Sequence, residues 1–203
     1  MPKKETAPRA WQRMLSGRRL DLLDPSPLDI EIEDIAHGLA RVARWNGQTV
    51  GAHAFSVAQH TLAVEEIAGG LSPEIGVSGR LAAMLHDAPE YVLGDLISPF
   101  KALLGGEYPL VEQRLLAAIH LRFGLPAPLP AALTARIKAA DRISAYFEAV
   151  ALAGFGEAEA ARIFGLPHGI EPQRLDWTPW PAAKAERRFL KRFKVLAVAA
   201  EAV

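Results

Sequence analysis

Apolar residues recur along most of this chain at intervals of three and four, the spacing that lines one face of a helix, and they seldom alternate as a half-buried strand requires. Ile35, Leu39 and Val42 make one such stripe, in a helix expected to start near Asp34 as its cap and to end before Asn46-Gly47. A second is expected over residues 55–67, with Val57, His60 and Val64 on one face and Gly69-Gly70 as its stop. Ser78 is the candidate cap of a third that carries Leu81, Met84 and Leu85 and closes around His86, Asp87 and Pro89, with residues 90–93 extending it beyond the proline. Pro99 is expected to open a short helix with Phe100, Leu103 and Leu104, stopped by Gly105-Gly106, and Pro109 suits the first position of the next, over 110–123 up to Gly124. The longest periodic stretch, 131–153, carries Leu133, Ile137, Ala140, Ile143 or Ser144, and Phe147 on successive turns, before Gly154. A short helix over 157–164 and a final one from Ala182 complete the pattern.

Residues 1–33 read differently. A short helix over 10–15 is expected, then a loop that Asp24-Pro25-Ser26-Pro27 keeps non-helical, because each proline pushes its predecessor out of the α region. Ile30-Glu31-Ile32 alternates, but three residues in isolation do not make a sheet. The expectation is an all-α fold: a helical domain over 34–203, about seven or eight helices around one core, preceded by that N-terminal segment.

Composition narrows the partners. Of 203 residues, 50% are hydrophobic and 23% charged, ordinary values for a chain that builds a core. Twenty-three basic residues balance twenty-three acidic ones, so no overall field draws the protein onto a nucleic-acid polymer or an anionic membrane, and any phosphate must be met locally. The absence of cysteine excludes disulfide and thiolate chemistry and accords with a reducing compartment, with the cytoplasm as default. Residues 2–17 hold no apolar run of the signal-peptide kind, and nowhere do eighteen uncharged apolar residues follow one another. Residues 189–203 are apolar but broken by Lys191, Arg192, Lys194 and Glu201, as in an amphipathic surface helix.

A few ionisable residues resist this packing account. Asp141 lies within the longest apolar helix, where an unpaired charge costs several kcal/mol; Arg136 and Arg142 offer an ordinary surface pairing, so alone it reads as structural. His60 alone reads as a hydrogen-bonded core histidine. His86-Asp87, directly after Leu81-Ala82-Ala83-Met84-Leu85, shifts the balance, because apolar burial does not ask for that doublet. Two imidazoles and two carboxylates from three helices can close around one divalent ion. Such a mixed set suits Mn, Co, Fe, Ni or Zn better than Ca and admits Mg, and four protein ligands leave positions for water and substrate.

His60, the doublet His86-Asp87 and the distant Asp141 resemble the H…HD…D signature of the HD-domain metal-dependent phosphohydrolases. Ser56-Val57-Ala58-Gln59-His60, His86-Asp87-Ala88-Pro89-Glu90, Gly94-Asp95-Leu96 and Lys138-Ala139-Ala140-Asp141 are similar to the branch of bacterial HD-type 5′-deoxynucleotidases, over about residues 34–150. The resemblance implies that His60, His86, Asp87 and Asp141 are the metal ligands, that Glu90 positions the attacking water or shuttles its proton, and that Asp95 assists near the leaving oxygen. The competing reading of both acids is a solvated acidic turn. Arg44-Trp45 resembles a pair in which arginine grips phosphate and the aromatic ring packs on the nucleoside; Arg41 is a rival, ordinary packing is the alternative, and His53 and Lys101 are weaker candidates.

The expected function is metal-dependent hydrolysis of a nucleoside 5′-monophosphate by an activated water, without a covalent enzyme intermediate. The alternatives are an HD hydrolase of cyclic nucleotides or nucleoside triphosphates, a non-catalytic metal-dependent nucleotide-binding module, and a plain helical scaffold that leaves Asp87 and Asp141 unexplained. Two-metal branches commonly add histidines between the doublet and the last aspartate; only His120 stands there, which favours one metal. A homodimer is a further expectation, since related enzymes are often dimeric and residues 190–203 could serve a partner or equally cover their own core. His37, His120 and His168 are expected at packing or surface positions.

Overall fold

Most of the apolar stripes do become helices. The computed structural model describes residues 9–71, 73–97, 106, 108–168 and 175–202, and among these it contains eight α-helices. They are α1 (Ile32–Leu39), α2 (Val57–Gly70), α3 (Gly76–Met84), α4 (Glu90–Leu93), α5 (Tyr108–Arg122), α6 (Ala131–Ala151), α7 (Glu157–Phe164) and α8 (Ala182–Glu201). The fold is all-α, as expected. The helix expected to open at Pro99, and Lys101 with it, lie outside the described residues.

The N-terminal segment departs from expectation. In place of a helix over 10–15, β1 (Trp11–Arg13) and β2 (Arg19–Asp21) pair antiparallel, with Gln12 opposite Leu20. Six residues are too few to sustain a helix alone, whereas Gly17, at φ +87°, allows the chain to reverse and donate its N–H to the Met14 carbonyl at 3.0 Å. Leu20 is then fully buried, and the guanidinium groups of Arg9 and Arg19 cover Trp11 at 4.9 and 4.6 Å.

This hairpin explains why Asp34 is not a cap. Its carboxylate accepts the backbone N–H of Ser16 at 3.0 Å and the Ser16 hydroxyl, tying the hairpin to α1, which has already started two residues earlier. Ser78 likewise lies inside α3, whose N-cap is Ile75. Ser56 does cap α2, accepting from the Gln59 N–H. Gly69-Gly70 does not stop α2 but forms its last turn. A Cβ on Gly69 would stand 2.7 Å from the Arg80 guanidinium, so the missing side chain leaves room for that group beside Glu65. Gly38 lets α1 approach α4, where a Cβ would meet Tyr91 Cβ at 2.7 Å and its carbonyl oxygen at 2.8 Å.

Helix α2 is the centre of the packing, touching α3, α6 and α8. Its buried residues, Val57, Ala58, His60, Thr61, Val64, Ile67 and Ala68 among them, go round most of its circumference, the signature of a core helix. Helix α8 lays Ala185, Phe189, Phe193 and Leu196 on this core, each large side chain adding roughly 2 kcal/mol by burial. The C-terminal stripe thus covers its own chain. A smaller cluster of Tyr146, Ala149 and Ala160 joins α6 to α7 and takes in Trp45, Phe155 and Phe164. No helix among the described residues is long and apolar enough to cross a membrane.

Candidate metal centre

Three elements deliver the ionisable residues to one place. Helix α2, buried on most sides, carries His60 into the interior; the tight turns between α3 and α4 present His86 and Asp87; α6 contributes Asp141. Ligand atoms of His60, His86 and Asp141 lie within 4.8 Å of one another, so this group could hold a metal ion. Asp87 joins them: its Oδ2 stands 3.3 Å from His60 Nε2 and 3.1 Å from His86 Nε2, while Asp141 Oδ1 is 3.2 Å from His60 Nε2. The His60 side chain is fully buried and that of Asp141 is 38% exposed, so the cluster opens towards solvent on the Asp141 side.

The tautomers decide what the cluster can bind. His86 Nδ1 faces the Ala83 carbonyl at 2.8 Å, and His60 Nδ1 faces Glu148 Oε1 at 2.6 Å; both partners can only accept here, so each Nδ1 carries a proton. Both Nε2 atoms are buried, and neither makes a well-directed hydrogen bond among the described residues. In the neutral rings those atoms are lone pairs aimed at carboxylate oxygens. A divalent cation between them would satisfy donors of the borderline kind at once, so the residues fit such an ion.

Electrostatics agree. Burial opposes charge on Asp87, but the imidazoles of His86 and His60 outweigh it and hold this carboxyl well below the usual range. Asp141 is lowered too, burial and the repulsion of Asp87 being overcome by His60 and His86. Burial and Arg44 push His60 down, yet Glu148, Asp141 and Asp87 prevail and its pKa lies well above that of an ordinary imidazole. Acidic groups thus outnumber cations here, and a metal would compete with a proton for His60.

Arg44 and Trp45 flank the cluster on the turn Arg44–Gly47, where Trp45 and Asn46 take the left-handed region at φ 57° and 50°. That conformation costs roughly 1–2 kcal/mol per residue and is offset by what the turn holds. Arg44 places Nε 3.3 Å from Glu148 Oε2 and Nη1 3.3 Å from Asp95 Oδ2. The Trp45 indole N–H donates to Glu148 Oε2 at 2.9 Å, and its ring packs against Phe155 and Phe164. Arg41, the rival, turns to the surface and pairs with Glu186 of α8 at 2.7 Å. Glu90 is buried at the first position of α4, and His53 is exposed in the loop before α2.

No family model matches the sequence. The chain is 61% identical over 188 residues to the uncharacterized protein RCAP_rcc00048 of Rhodobacter capsulatus, covering 93% of this chain and 96% of that one. The chain belongs to that protein's family. It is also 33% identical over 98 residues to the uncharacterized protein YfdR of Escherichia coli, a match that spans 48% of this chain and 49% of YfdR. This kinship gives a lineage without naming a reaction.

One residue of the site is absent from the sequence reading. Glu148, fully buried on α6, accepts from His60, Ser144, Arg44 and Trp45. Burial pushes its pKa up, but His60, Arg44 and the Ser144 hydroxyl bring it well below the carboxylate range. A signal was there: Asp141, Ser144 and Glu148 follow the i, i+3, i+7 rule along one face of an otherwise apolar helix.

Proposed function

We propose that this protein is a metal-dependent phosphohydrolase of the HD type that cleaves nucleoside 5′-monophosphates in the cytoplasm. The observation that carries the reading is the pair of Nδ1-anchored histidines whose Nε2 atoms face Asp87 and Asp141. The helical fold and the ordered H…HD…D resemblance support it. A single ion is favoured, because the described residues contain one group of three or more donors within reach of each other.

His60, His86, Asp87 and Asp141 would hold the ion. When bound, such an ion lowers the pKa of water and polarises a phosphoryl oxygen. The residues around it do the rest. Arg44, steadied by Glu148 and Asp95, presents a planar cation to the phosphate dianion and offsets charge as the bond to the 5′-oxygen loosens. Glu90, three residues beyond Asp87, accepts the proton of the attacking water, and Asp95 serves the side of the leaving oxygen. The products are inorganic phosphate and a nucleoside. Without a cation, the carboxylates of Asp87, Asp95 and Asp141 would repel the substrate.

The test is a substrate panel with protein loaded in turn with Mn, Co, Ni, Zn and Mg, with metal content measured on the same sample. Phosphate release from 5′-monophosphates is expected. Folded, metal-bearing protein that releases phosphate from no nucleotide would remove the reading and leave a metal-dependent binding module. Faster turnover of cyclic or triphosphate substrates would move the assignment to another HD branch.

A further inference from the structure

Glu148 lies between the two halves of the proposed machinery, and each of its oxygens serves one half. Oε1 receives His60 Nδ1 at 2.6 Å and the Ser144 hydroxyl at 2.7 Å. Oε2 receives the Trp45 indole N–H at 2.9 Å and Arg44 Nε at 3.3 Å. All these partners are donors. An Arg Nε–H, an indole N–H and an imidazole Nδ1–H pressed against it can only be met by lone pairs, and an amide has lone pairs on one side only. The side chain is fully buried, so water does not make good a mismatch.

We propose that Glu148 is a positioning residue whose ionised carboxylate sets the His60 tautomer for the metal and, through its other oxygen, which also fixes the Trp45 indole, aims Arg44 at the substrate phosphate. It rests on the reading of His60 as a ligand and Arg44 as the phosphate grip. Geometry supports the link: the turn bearing Arg44 and Trp45 is held in a left-handed backbone beside Glu148, and α6 carries Glu148 two helical turns beyond the ligand Asp141. Ser144, one turn before Glu148, orients it from the same helix.

The experiment compares wild type, Glu148→Gln and Glu148→Asp. Manganese affinity is measured by calorimetric titration, KM and kcat are measured for a 5′-monophosphate, and circular dichroism reports folding. In Glu148→Gln the amide NH2 must face either His60 and Ser144 or Trp45 and Arg44. The expectation is a manganese Kd weaker by about tenfold or more, a raised KM, and partial recovery of both in Glu148→Asp, which keeps the charge on a shorter stem. A purely packing role would lower thermal stability and leave the metal Kd of folded protein unchanged, which overturns the proposal. Should Glu148→Gln fail to fold, 15N NMR of zinc-loaded wild type decides: His60 protonated at Nδ1 and bound to zinc through Nε2 is expected, and the opposite tautomer overturns it. Wild type that binds no metal defeats the function reading itself; wild type that binds and hydrolyses while Glu148→Gln behaves like it defeats only this inference.

Discussion

Two buried glutamates of this protein meet basic side chains, and they lead to different chemistry. Glu65 on α2 takes Arg192 of α8 at 2.7 and 2.8 Å and Arg80 of α3. Two guanidinium groups face one carboxylate, so charge is more than answered and three helices are pinned where they cross. Glu148 meets one guanidinium and an imidazole in a neighbourhood that also holds Asp87, Asp95 and Asp141. Negative charge is left over there, together with two buried ring nitrogens, His60 Nε2 and His86 Nε2, that make no well-directed hydrogen bond among the described residues. A buried acid is a rivet when cations match it. It marks a binding site when the surrounding donors and acceptors do not close among themselves.

The contrast can be broken by substitution. Asp87→Asn should lower kcat/KM for a 5′-monophosphate about a thousandfold or more, since a ligand to the ion supports several kcal/mol of transition-state stabilisation. Its urea midpoint without metal should fall modestly, because His86 and His60 favour the ionised Asp87 in the folded protein. Glu65→Ala should instead keep its metal affinity while losing roughly 2–3 kcal/mol in chemical denaturation, with arginines left to face each other. If Glu65→Ala alters the metal Kd as strongly as Asp87→Asn does, the division fails.

Added metal should stabilise wild type by about 2.7 kcal/mol when its concentration is a hundred times Kd, with reversal by chelator. Asp141→Asn should erase most of that gain in thermal denaturation, with a smaller drop in the metal-free melting temperature, since His60 and His86 favour the ionised Asp141 in the folded protein.

The smallest effect concerns His120, the other buried histidine among the described residues besides His60. His120 in α5 has its pKa pushed down by burial from 6.5 to about 4, and its Nε2 has no hydrogen-bond partner among the described residues. The unfolded chain binds this proton at higher pH than the folded one, so folded stability should fall as pH drops from 6.5 towards 4. His120→Leu should flatten that slope in denaturation curves taken across the window. An unchanged slope would show that His120 stays charged or solvated.

Legibility differed from place to place. Helices α6, α7 and α8 were readable because their apolar periodicity is long or their proline and glycine boundaries are sharp. The hairpin of β1 and β2 was not, since its strands are three residues each and depend on Leu20 finding the core and on Asp34 receiving Ser16. The positions of His60, His86 and Asp141 could be anticipated because an ionisable residue on an apolar face needs a partner. Glu148 went unnoticed although Asp141 and Ser144 share its face, because three of its partners come from elements far along the chain or across a strained turn.

By itself the sequence determined that the chain is helical, that α2 and α6 present polar groups on buried faces, and that imidazoles and carboxylates are available to a cation. Periodicity and side-chain chemistry are local properties, and they suffice for that. Only the tertiary structure decided that Arg44 rather than Arg41 stands beside the donors, that Nδ1 is tied in both histidines, and that one carboxylate joins the two groups of residues. Those outcomes depend on how helices distant in sequence are set against each other within a few tenths of an ångström, and no pattern along a single strand of residues encodes that distance.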